Sequence, residues 1–145
     1  MKKKKMPSEV HFQVDYALLC EAVRKEIMGK DIIIGAVPDG LMVPQFPAVV
    51  PCCFWVVTQV SKLPAGQHSL KLRLREKKEE SPLIVDFHEL VFGVEFVEKG
   101  LGSFATDTIQ VEIDAPFNAV LEYSFDDCEF INIRDVDFVR IPGVP

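Results

Sequence analysis

Asp86, His88 and Glu89 are the residues whose types and spacing come nearest to chemistry. On a regular strand, residues two apart point to one face, so Asp86 would orient the His88 imidazole or form half of a metal site with it. A hydrolase would also need a nucleophile. Ser103, in Gly102-Ser103-Phe104, lacks the G-x-S-x-G turn that exposes such a serine. With three histidines in the whole chain (His11, His68 and His88), the plain reading is a polar strand face. Asp126, Asp127, Asp135 and Asp137, with Asp107 and Asp114 before them, suggest a calcium loop, but none shows the regular acidic spacing of a dedicated site, so ordinary turns are expected. Neither GxGxxG nor GxxxxGK occurs, so no phosphate cradle is present. No catalytic residue, metal ligand or cofactor is assigned.

The four cysteines, Cys20, Cys52, Cys53 and Cys128, show no CxxC spacing. Neighbours on a strand point to opposite faces, so Cys52 and Cys53 are expected neither to bond one another nor to share a metal. Reduced, buried thiols are expected, with a pair such as Cys20 and Cys128 left open. The formal net charge is −6, and because Lys2 to Lys5 supply four positive charges, the rest of the chain carries −10. An acidic body disfavours nucleic acid, which needs a basic face. Met6-Pro7-Ser8-Glu9 follows the lysine run in place of an apolar stretch, which predicts a solvated tail over 1–9 and not a signal peptide. No window reaches about 18 apolar residues, so no membrane span is expected and the cytoplasm is the expected location. Lys71, Arg73 and Arg75 form a basic strand face that could meet an acidic partner or simply water.

The elements that must hold these residues read as strands. Phe54 to Val60 is β-branched and aromatic on both faces, and Leu70, Leu72 and Leu74 alternate with Lys71, Arg73 and Arg75. Pro64 and Gly66 lie between them, so Pro51 to Arg75 reads as one long hairpin. Phe12, Val14 and Tyr16 alternate with polar residues before an apolar run to Cys20, a first strand; a rival helix over Tyr16 to Met28 leaves room for one short helix near Glu21 to Met28. Leu83, Val85 and Phe87 share one parity and Leu90, Phe92, Val94 and Phe96 the other, so a bulge or bend lies near His88-Glu89 and could carry the chain from one sheet to the other. Gly100 to Asp107 reads as a loop, and Arg134-Asp135 as a break in the last strand. The fold class is therefore all-β, an antiparallel sandwich of seven or eight strands, as one domain over 10–141 with a tail at 142–145.

Ala17-Leu18-Leu19-Cys20-Glu21, Gly29-Lys30 with Ile34-Gly35, Val43-Pro44-Gln45-Phe46-Pro47 and Gly66 to Leu74 resemble the corresponding stretches of a family of small bacterial and phage-associated β proteins with no assigned activity. The resemblance covers about the first half. It implies a small β domain of bacterial source and carries over no catalytic position.

Leu41 to Val50 is apolar yet interrupted by Pro44 and Pro47. A stiff apolar segment loses little entropy on docking, so Met42, Val43 and Phe46 are the expected binding residues. The function expected is a non-enzymatic interaction or structural module that binds a protein partner or forms a homodimer; the alternative is a metal-dependent hydrolase using Asp86, His88 and nearby carboxylates.

Overall fold

The computed structural model describes residues 11–142, so the Lys2 to Lys5 tail and the chain from Gly143 onward lie outside it. The described chain is all-β. Its strands are β1 (His11–Cys20), β2 (Ala22–Lys25), β3 (Asp31–Ile34), β4 (Gly40–Val43), β5 (Ala48–Leu63), β6 (Gly66–Glu76), β7 (Ile84–Asp86), β8 (Leu90–Val94), β9 (Val97–Ala105), β10 (Ile109–Ile113), β11 (Phe117–Phe125) and β12 (Ile131–Arg140).

Two sheets pack face to face. In one, β5 is central, with β1 on one side and β9 and β10 end to end on the other. The second runs β4-β12-β11-β6, and β7 and β8 lie end to end on the outer side of β6. All the pairings are antiparallel except β4 with β12, which is parallel. A separate ribbon of β2 and β3 completes the set.

Four local readings are corrected. The Pro51 to Arg75 stretch is not a hairpin, because β5 and β6 lie in opposite sheets and the chain crosses the sandwich at Pro64-Ala65. Alternation alone cannot separate the two arrangements, since Phe54, Val56, Leu70 and Leu72 are buried whether they sit beside each other or face each other across the core. Among the described residues Glu21 to Met28 holds no helix; Ala22–Lys25 is β2 and Ile27-Met28-Gly29 turns the ribbon, with Gly29 at φ +75°. The glycine-rich stretch from Gly100 is β9, where the missing side chain is used: a Cβ on Gly100 would lie 3.2 Å from Val97 Cγ1. The break at Phe87 to Glu89 separates β7 from β8 as the parity slip requires, but both stay on β6 and the sheet change comes after Val94.

Bulges explain two other phase changes. Asp15 is the extra residue between Val14, opposite Thr58, and Tyr16, opposite Val57, so Ala17 turns inward and Tyr16 is left exposed. In β12, Leu121 pairs with Arg134 and Glu122 with Asn132, so Ile133 is extra and the strand continues through Arg134-Asp135 without a break. Proline placement also follows pairing. Pro51 stands where β5 has β10 as its partner, beyond the last β1 pair at Cys53, so no ladder partner on the β1 side needs its missing N–H.

The core is the apolar lining of both inner faces. Phe12 stacks on Phe125 at 4.1 Å, and Phe54 meets Phe87 edge-on at 5.3 Å. Phe92 and Val94, which share one parity in β8, are half-buried at its rim.

Candidate functional site

The residues singled out for chemistry do not converge. Asp86 and Glu89 flank a shallow hollow with Lys71, Arg73 and Phe130, whereas His88 is not part of that wall. The break after Asp86 removes the strand geometry that would have placed His88 beside it. No group of three or more His, Cys, Asp or Glu side chains among the described residues is arranged to hold a metal ion. Ser103 donates to Asp31 and is not poised as a nucleophile.

The aspartates are dispersed as well. Asp126 Oδ1 accepts the Ser69 backbone N–H at 2.9 Å, Asp127 pairs with Lys71 at 2.5 Å and Asp135 pairs with Lys77 at 2.7 Å. Asp107, Asp114 and Asp137 are exposed. The turn at Asp126-Asp127 has both residues at positive φ, 48° and 60°, which short polar side chains tolerate.

Three polar clusters that the sequence did not single out carry the electrostatics. In the first, Glu122 on the outer face of β11 is buried. Its Oε1 accepts from Arg73 Nε at 3.0 Å and Arg75 Nε at 2.8 Å, and the Arg73 guanidinium lies 3.6 Å over the Phe130 ring. The three positive charges of Lys71, Arg73 and Arg75 are thus largely offset within the chain by Asp127 and Glu122, which weakens the face's claim on an acidic partner.

In the second cluster, His68 is buried beneath the crossing between the sheets. Its Nδ1 lies 2.6 Å from Asp126 Oδ2 and its Nε2 2.8 Å from the Pro64 carbonyl, so both ring nitrogens face acceptors and the protonated ring is favoured. Burial opposes that charge, but the Pro64 carbonyl and the Asp126 carboxylate outweigh it and raise the pKa. With both nitrogens engaged, His68 has no lone pair for a metal or a substrate proton. Its work is to tie the crossing to the Asp126 turn.

The third cluster fastens the β2–β3 ribbon to the outside of β5 and β9. Asp31 Oδ2 accepts from Trp55 Nε1 at 2.9 Å and Ser103 Oγ at 2.6 Å, and Lys25 Nζ lies 2.7 Å from Oδ1 and 3.2 Å from Ser103 Oγ. A serine beside a lysine invites a catalytic reading, but here the ammonium and the hydroxyl both serve the one carboxylate, so neither acts as a base. The chemistry is a clasp. Burial alone would raise the Asp31 pKa; hydrogen bonds from Lys25, Ser103 and Trp55 and the Lys25 charge reverse this and hold it at about 2, against an ordinary 3.8.

A stability profile follows with a definite sign. Because the folded value lies below the unfolded one, the stabilisation is complete above about pH 4 and is lost as pH falls toward 2. At 1.36 kcal/mol per unit the contribution is about 2 kcal/mol at neutral pH. Urea melts of wild type and Asp31→Asn between pH 2 and 7 should show the variant less stable by that amount near neutrality and converging on wild type in acid; parallel curves would show that the clasp does not depend on the carboxylate charge.

The expected binding residues lie at one margin of the second sheet. Met42 is 62% exposed, Val43 is buried, and Phe46 is half-buried against the core. Parity within β4 explains the split: Leu41 and Val43 face inward, and Met42 faces out beside its β12 partner Val139, itself 37% exposed. All four cysteines are buried. No described helix is long and apolar enough to cross a membrane. A family model described as a family of unknown function (DUF6941) matches residues 15–133. No curated protein matches the chain.

Proposed function

The chain belongs to this family of unknown function, whose match runs from β1 into β12, and from that premise we propose that it is a non-enzymatic interaction module that self-associates through the β4 margin. The observation that carries the reading is the exposed apolar pair of Met42, on the outermost strand β4 of the second sheet, and Val139, beside it on β12. β4 is paired on one side, with β12, among the described residues. An edge strand offers unpaired N–H and C=O groups to a neighbouring chain, and apolar side chains beside it add burial to those hydrogen bonds. Phe46, just beyond β4, extends the apolar margin, while Val43 contributes its backbone and not its side chain.

An antiparallel β4–β4′ pairing about a two-fold axis would set the same residues of both copies against each other, as an isologous interface requires. Sedimentation at about 100 μM tests this, since a micromolar dimer is then largely formed. Wild type is expected to sediment as a dimer and Met42→Asp as a monomer. A wild type that stays monomeric at that concentration would overturn self-association.

A further inference from the structure

We propose that Cys20 and Cys53 form a cross-strand dithiol that closes to an intramolecular disulfide on reaction with a hydroperoxide. In the register of β1 against β5, Cys20 lies directly opposite Cys53. Opposed residues of an antiparallel pair have Cα atoms about 4.5 to 5.5 Å apart, inside the roughly 4.4 to 6.8 Å that a disulfide spans. Cys20 Sγ donates to the Cys53 carbonyl at 3.6 Å, and Cys53 Sγ donates to the Thr106 carbonyl at 3.0 Å, so both thiols are held at the same crossing of the two strands. Cys52 has the opposite parity and joins the core cluster, and Cys128 sits in the turn after β11 in the other sheet, so neither competes.

The pair is chemically unequal. The neighbouring Cys20 thiol draws the Cys53 pKa down against the cost of burial, while the same contact and burial push Cys20 up. Cys53 is accordingly the attacking thiolate and Cys20 the resolving thiol. Both are 1% exposed, beside the β2–β3 ribbon, whose Val23 backbone helps to hold the Cys53 pKa down. A two-stranded ribbon is marginal by itself and is the kind of element that opens locally, so a small oxidant can enter where a protein cannot.

The reaction balances in two steps. The Cys53 sulfur attacks one peroxide oxygen, forming S–O and breaking O–O; with hydrogen peroxide, the hydroxide released takes up a proton and leaves as water. The Cys20 sulfur then attacks the Cys53 sulfur, forming S–S and breaking S–O, and a second water leaves carrying the Cys20 proton. The two thiols lose two electrons, and the peroxide gains them.

Treating the full chain with hydrogen peroxide and measuring its mass without reductant tests this. The expected product is lighter by about 2 Da, yields one linked peptide pair containing Cys20 and Cys53, and returns to the starting mass with dithiothreitol. Cys52→Ser and Cys128→Ser should still form it, whereas Cys20→Ser should leave Cys53 heavier by about 16 Da as a trappable sulfenic acid. The peptide map of wild type decides the matter even if Cys20→Ser fails to fold. An unchanged mass, a link through Cys52 or Cys128, or oxidation at Cys53 without closure would overturn the proposal.

Discussion

Phe54→Ala is expected to lower stability by about 3 to 5 kcal/mol, the range for removing a fully buried aromatic ring from a core that cannot collapse around the gap. Phe54 is 0% exposed at the middle of β5, the one strand that every other strand of its sheet pairs with, and its ring meets Phe87 of the opposite sheet edge-on at 5.3 Å. The truncation therefore removes burial, an aromatic contact and a bridge between the sheets together. The melting temperature should fall by on the order of 10 °C. Val49→Ala in the same strand, 64% exposed, should change stability by less than about 0.5 kcal/mol. Denaturant melts of both variants check the pair. A Phe54→Ala loss below about 1 kcal/mol would mean that the two sheets do not meet at this residue.

Glu122→Ala should be the most damaging polar substitution, costing about 2 to 3 kcal/mol. Breaking a buried ion pair from one side costs roughly 3 to 5 kcal/mol, and the partial exposure of both arginines reduces that here. The carboxylate is 5% exposed, against 19% and 29% for Arg73 and Arg75. Without it, two guanidinium groups share one face of β6 two residues apart and repel each other. Replacing all three groups at once, as Arg73→Met, Arg75→Leu and Glu122→Leu, should recover most of the loss, because no buried charge is then left unpaired. Chemical denaturation of the single and triple variants separates these outcomes. A single variant within about 0.5 kcal/mol of wild type would place the cluster among ordinary surface pairs.

The clasp at Asp31 and the dithiol meet at the same ribbon. Cys20 is the residue before the turn into β2, and Asp31 opens β3, so one two-stranded element covers the thiols and is held down by one carboxylate. Loosening the clasp in Asp31→Asn would expose Cys53 more often. The acid-dependence and oxidation experiments therefore examine opposite ends of one hinge.

The sequence by itself determined the class of fold and most of the strand interiors. Period-2 alternation reports which side chains are buried, and Leu70, Leu72 and Leu74 are all inside as their spacing required. The parity slip near His88 likewise located the junction of β7 and β8, because inserting residues between two paired segments must show as a change of phase. Which strands pair was decided only in three dimensions. Burial of Phe54 and Leu72 is satisfied equally by neighbours in a hairpin and by opposed strands of a sandwich, so the crossing at Pro64 left no signature in the pattern. The clusters at Glu122, His68 and Asp31, and the meeting of Cys20 with Cys53, depend on contacts such as Trp55 with Asp31, 24 positions apart, His68 with Asp126, 58 apart, and Ser103 with Asp31, 72 apart. Local propensity acts over a few residues, and only the register of distant strands can bring such groups within hydrogen-bonding reach.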